Sequence, residues 1–154
     1  MDKCDAWLVG PESVRMLELG HPWIIADGYT RRWPTGKPGQ VVALSDDEGR
    51  FIASALLDPQ DRIVARVLSR RRMQLDRAWL TQRISQAIEL RRVHAALGDT
   101  DAYRLVNAEG DGLPGLTVDR YGDWLLVQFT SLALAARREL LLDLLREKLQ
   151  PAGI

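Results

Sequence analysis

The stretch Ala102-Tyr103-Arg104-Leu105-Val106-Asn107-Ala108-Glu109-Gly110-Asp111-Gly112-Leu113-Pro114-Gly115-Leu116-Thr117-Val118-Asp119-Arg120-Tyr121-Gly122 decides the fold class. Gly110 to Gly115 spells G-x-G-x-x-G, the pattern of a dinucleotide-binding turn. That turn holds a phosphate only if a helix starts within it, because backbone N–H groups and the helix dipole must face the anion. Here β-branched Thr117 and Val118 follow, then Gly122 and the apolar run Trp124 to Thr130. Such a pattern predicts strand, turn, strand, with Tyr121-Gly122-Asp123 as a compact hairpin connection. Tyr103 to Ala108 supplies a strand before the glycines. The segment therefore reads as antiparallel β structure, and the chain as α+β.

Upstream, Gln74 to Leu97 contains neither Gly nor Pro, and Leu80, Ile84, Ala87 and Ile88 recur at helical spacing. Asp76 is the candidate N-cap and Gly98 the C-terminal stop. Downstream, Leu132 to Leu149 predicts a second helix with Leu134, Leu140, Leu141, Leu144 and Leu145 on its buried stripe, stopped by Pro151 and Gly153. Residues 5 to 70 read differently. Ala6 to Val9, Gln40 to Leu44, Arg50 to Leu57 and Ile63 to Leu68 are short strand candidates, with Asp46-Asp47-Glu48-Gly49 as a turn. A short helix is expected at Glu12 to Leu19, ended by Gly20. Gly28, Pro34, Gly36, Pro38 and Gly39 punctuate a loop. Short strands at this spacing suggest a small barrel or sandwich.

Composition narrows the chemistry. The 154 residues are 46% apolar, enough for a packed core. No apolar run approaches the ~20 residues that cross a bilayer, and the N-terminus does not resemble a secretory signal, so a cytoplasmic location is expected. Cys4 stands alone and has no base beside it in sequence; with two histidines, His21 and His94, no metal cage or Ser-His-Asp order emerges. Five Trp are expected to be mostly core. Net charge is zero, yet Arg62 to Arg92 carries nine arginines (62, 66, 70, 71, 72, 77, 83, 91, 92) against Asp76 and Glu89. Arginine suits phosphate through two parallel hydrogen bonds, while a solvated helix face accounts for the same run.

Residues 102–122, quoted above, resemble a signature of the S-adenosylmethionine-dependent large-subunit ribosomal RNA cytosine-5 methyltransferases, where it belongs to a central α+β domain. Gly20-His21-Pro22-Trp23-Ile24 is similar to a segment of that family's N-terminal PUA domain, and Gly39 to Val42, Gly49, Ala53 and Arg62 to Arg66 follow in order. The resemblance implies a PUA-type β pseudo-barrel at 1–70 and a central α+β domain at 71–154, incomplete, with the C-terminal Rossmann-like methyltransferase domain outside this chain. It implies ribosomal RNA as partner, with Gly20, His21, Trp23, Arg31, Arg32 and Lys37 around the PUA loop and Arg70, Arg71 and Arg72 as a second phosphate contact. Backbone N–H groups near Gly20 are expected to hold phosphate or base, and Trp23 serves either as a stacking platform or as core. No catalytic, metal or cofactor residue is assigned here; S-adenosylmethionine is expected for the full-length family enzyme. The chain departs from the family at Met16-Leu17-Glu18-Leu19, where relatives often carry basic residues. That departure, with the zero net charge, sustains a rival reading: a structural or homodimerisation module whose RNA affinity resides in the catalytic domain.

Overall fold

The computed structural model describes residues 6–27, 36–93 and 100–154. It divides into two compact units, Met1–Gln74 and Leu75–Ile154. Cys4, Arg31, Arg32, Pro34, His94 and Gly98 lie outside the described residues.

The first unit runs β1 (Ala6–Leu8), α1 (Pro11–Glu18), β2 (Trp23–Ile25), β3 (Val41–Ser45), β4 (Phe51–Leu57), β5 (Ile63–Ser69). Its sheet has the order β1-β3-β4-β5-β2, parallel between β1 and β3 and antiparallel elsewhere. Register shifts at Ile24/Ile25, Leu44/Ser45 and Ser54/Ala55 add local bend and twist, as small curled sheets need. Central β4 is buried on both faces beyond Phe51, which is why Ile52-Ala53-Ser54-Ala55-Leu56-Leu57 shows no polar alternation. Pro11 opens α1, where its missing N–H costs nothing. Val14 and Leu17 bring that helix onto Trp7, Val9, Leu44, Ile52 and Ala53. The turn between β3 and β4 is set by Asp46, whose Oδ1 accepts the N–H groups of Glu48 and Arg50. Between β4 and β5, buried Arg66 donates to Asp61 at 2.8 Å and lies 3.8 Å from buried Asp58.

The second unit contains α2 (Arg77–Val93), β6 (Ala102–Asn107), a 3-10 turn (Ala108–Asp111), β7 (Leu116–Tyr121), β8 (Trp124–Phe129), α3 (Leu132–Ala135) and α4 (Arg138–Leu149). The strands form an antiparallel meander, β6-β7-β8. Asp76 caps α2 as the sequence predicts, accepting from Trp79 N–H at 2.8 Å. Leu80, Ile84 and Ala87 of α2 are buried, as are Leu105 and Val106 of β6 and Leu116 and Val118 of β7. Together they make the α+β packing that the sequence predicts.

Two local expectations fail. The helix expected over Leu132–Leu149 is broken: α3 ends at Ala135, and Arg137 leaves the helical region with φ −113° and ψ 20°. The break rotates the second segment, so Leu142 is buried in place of Leu140, which is only half-buried. Nor are the tryptophans mostly core. Of the described four, only Trp7 is buried; Trp23 and Trp79 are half-buried and Trp124 is 62% exposed. Trp79 lies under the Arg83 guanidinium, and Trp124 rests on Gly153, where a Cβ would come within 2.3 Å of the indole.

Candidate nucleic-acid interface

The short helix α1 stops because Gly20 takes φ +97°, a conformation that side chains resist. Leu19 N–H donates to Arg15, Gly20 N–H to Leu17 and His21 N–H to Met16. These bonds satisfy the carbonyls left over at the helix end. They also correct one expectation. The amides of Gly20 and His21 are committed within the helix terminus, so they do not form an anion cradle.

Beyond that turn the chain enters β2. Ile24 points into the core, and period-two alternation turns Trp23 and Ile25 outward. A cleft of about 300 Å³ opens between them and α1, lined by Glu12, Ser13, Met16, His21, Trp23, Ile24, Ile25 and Asp27 among the described residues. The His21 and Trp23 rings meet edge-to-face, centroids 5.8 Å apart at 83°. His21 Nδ1 lies 3.1 Å from the Trp23 carbonyl and 3.3 Å from its N–H, which fixes the imidazole against the strand. Of the residues expected here, His21 and Trp23 therefore line one groove and Gly20 shapes its rim. Lys37 is exposed in the β2–β3 connection, where its N–H donates to Gln40 Oε1. Glu12, Ser13, Met16 and Asp27 were missed. The only sequence signal for them was the i, i+4 spacing of Glu12 and Met16 on one flank of α1.

Several of the described arginines are engaged within their own unit. Arg70 donates to the Leu17 carbonyl at the end of α1. Arg72 lies over the Phe51 ring at 4.6 Å, and Arg71 is exposed with its N–H on Ser69 Oγ. Arg66 is in the buried cluster described above. In the second unit, Arg91 grips Asp111 with two nitrogens at 2.6 and 2.8 Å, and Arg77 meets Glu147 at 2.6 Å. Their partners stand far away in sequence, beyond the reach of a local charge count. On α1's other flank, Arg50 bridges Asp46 and Glu18, both at 2.8 Å. The Arg50 hydrogen bond holds the Asp46 carboxyl below the usual carboxylate range.

The glycine-rich loop of the second unit is a strand connection. Gly112 N–H donates to Glu109, Leu113 N–H to Ala108 and Leu116 N–H to Leu113, so these amides are spent internally. Gly112 and Gly115 take φ +67° and +81°, and a Cβ on Gly115 would come within 2.6 Å of Ser131 Cβ. Asp111 is engaged by Arg91 and β7 follows directly. The Gly112, Leu113 and Leu116 amides are thus not gathered to face a phosphate. Among the described residues there is no cluster of three metal-ligating side chains, and no helix long and apolar enough to cross a membrane.

Comparison with known proteins agrees with this layout. Residues 8–70 match the family profile of a PUA-like domain. The chain is 35% identical over 131 residues to ribosomal RNA large subunit methyltransferase I of Vibrio cholerae, covering 85% of this chain and 33% of that protein. It is 38% identical over 119 residues to a ribosomal RNA large subunit methyltransferase of Deinococcus radiodurans, covering 74% of this chain and 29% of that one. Among solved structures, a candidate SAM-dependent methyltransferase from Streptococcus mutans superposes with a TM-score of 0.80 at 25% identity, covering 93% of this chain and 37% of that one. A candidate methyltransferase solved with SAH gives a TM-score of 0.81, also at 25% identity, covering 93% of this chain and 37% of that one. The chain spans about a third of the length of the curated relatives it matches. Residues 8–70 are thus PUA-like, and the chain is similar to about a third of the ribosomal RNA large subunit methyltransferases it matches.

Proposed function

We propose that this chain is the RNA-docking, substrate-positioning portion of a ribosomal RNA cytosine-5 methyltransferase. The observation that carries the reading is the PUA-like first unit with an open groove faced by Trp23 and His21. In this reading the groove and its rim at Gly20 receive RNA, with Lys37, Arg71 and the pair Arg31 and Arg32 supplying phosphate contacts. Arg70 and Arg72 contribute more to the fold than to the ligand, given their engagement with Leu17 and Phe51. Methyl transfer belongs to a domain outside this chain, and S-adenosylmethionine is that domain's cofactor. The 154-residue chain catalyses nothing alone and works in the cytoplasm.

Titration of the chain with structured ribosomal RNA fragments tests this. Binding on the order of micromolar that weakens with added salt is expected, with further loss in Lys37→Ala/Arg71→Ala. Absence of binding at low salt refutes it.

One observation favours the second reading, a structural or dimerisation module. Tyr121, Trp124 and Leu126 are 54%, 62% and 50% exposed, and Tyr121 pairs with Trp124 across the β7–β8 hairpin. An exposed apolar cluster of this kind suits a protein partner. Concentration-dependent sedimentation without RNA affinity supports that alternative.

A further inference from the structure

We propose that β8 pairs edge to edge with β8 of a second copy of this chain, about a twofold axis at Gln128. The proposal goes beyond RNA docking and is independent of it, because β8 belongs to the second unit.

Two bonds fix the direction of each backbone group along β8. Thr130 N–H donates to Gly115 on the β7 side, whereas Leu125 N–H donates to Gly153 on the opposite side. These directions alternate along a strand, so Val127 and Phe129 also turn their N–H and C=O groups away from β7. The Gly153 bridge stops at Trp124, and among the described residues no group accepts the Val127 or Phe129 N–H. The side chains of Val127 and Phe129 share the core side of the strand with buried Leu125, yet both are only half-buried.

Edge strands that stay single are usually short, charged or covered. The other sheet edges among the described residues follow that rule. Strands β1 and β2 have three residues each. Strand β6 carries Arg104; along its edge the Arg104 carbonyl accepts from Arg91, and the Asn107 N–H donates to Asp111. Strand β8 breaks the rule, with six residues and no charge from Trp124 to Ala136.

Charge and shape select the occupant. The edge suits an extended, uncharged, apolar strand whose own edge is open, and β8 itself meets each requirement. Two copies bring no like charges together. A twofold axis sets them antiparallel and makes one patch serve both sides. Since Gly153 already holds the Leu125 N–H, the register that remains joins Val127 of each copy to Phe129 of the other in hydrogen-bonded pairs. Gln128 then meets Gln128 across the axis on the exposed face, where two amides can bond each other. One sheet runs through both copies, and the half-buried Val127 and Phe129 side chains cover one another.

Sedimentation of the 154-residue chain from about 5 to 500 µM tests the pairing, with self-association on the order of tens of micromolar expected for a small contact. Gln128→Lys and Gln128→Glu each set like charges across the axis and are expected to weaken the dimer about fivefold or more. Mixing the two variants is expected to restore association as a heterodimer. Val127→Pro removes an outward N–H that the fold does not use and is expected to leave a monomer. Circular dichroism checks its fold, and the Gln128 pair reads the same contact without touching the backbone. A monomer at every concentration overturns the proposal. So does a dimer that survives both Gln128 variants. A dimer lost in Trp124→Ser and unaffected at Gln128 would place the contact on the sheet face and also overturn it.

Discussion

Replacing Asp111 with alanine should destabilise the second unit far more than its place in a glycine-rich loop suggests. The Asp111 side chain is 5% exposed, and its oxygens accept Arg91 nitrogens at 2.6 and 2.8 Å; Oδ2 also accepts the Asn107 N–H at 2.6 Å. Truncation strands the guanidinium of Arg91, whose side chain is only 16% exposed. Removing one partner of a buried ion pair costs about 3–5 kcal/mol. The low end applies here, because Arg91 keeps the Arg104 carbonyl at 3.1 Å and a little solvent, and exposed Asn107 can turn to water. The expectation is about 3 kcal/mol. A unit of this size holds roughly 4–12 kcal/mol in all, so the midpoint should fall by more than ~10 °C. Asp111→Asn, which keeps an acceptor and loses the charge, should cost less, about 2 kcal/mol. The double replacement Arg91→Met/Asp111→Leu should recover most of the loss, since it strands no charge. Urea denaturation followed by Trp79 and Trp124 fluorescence reads these differences. A loss below about 1 kcal/mol for Asp111→Ala, or no recovery in the double variant, would refute the claim that the pair holds the β6–β7 connection onto α2.

Two further outcomes follow from the geometry. Partial burial pushes the Asp61 carboxyl up, but the hydrogen bond and charge of Arg66 outweigh it and the net is below the ordinary value. A carboxyl depressed in the folded state adds stability above its unfolded pKa, about 3.9, and loses it as pH falls through the lower folded value. The first unit should therefore weaken below about pH 4, and Asp61→Asn should flatten that part of a pH-dependent melting profile. Gly115→Ala combines φ +81° with a Cβ 2.6 Å from Ser131 Cβ. A cost of about 2 kcal/mol or more is expected, read by thermal melts, whereas a neutral effect would mean the loop relaxes freely.

The residues Leu116-Thr117-Val118 and the hairpin at Gly122 made the meander legible, because β-branched residues and a two-residue turn act locally. The same held for the capped start of α2 at Asp76 and for the stop at Gly20, each set by one side chain or one backbone angle. Asp111 was legible only as a turn residue; its partner Arg91 lies a helix away. Within the groove, His21 and Trp23 stood out by type and by resemblance. Glu12 and Asp27 did not, since they are joined to them only when α1 lies across β2.

Sequence alone determined the element types, the α+β class and the strand that follows the glycine-rich loop, since propensity, capping and turn geometry involve neighbours a few residues apart. Tertiary structure alone decided which of the described arginines face solvent, which of the described tryptophans are buried, and which side chains of α1 join those of β2 along the groove. Those properties depend on partners brought together across the chain, Arg77 with Glu147 and Trp124 with Gly153. Burial and net field at a point are sums over space, and no window along the chain contains them.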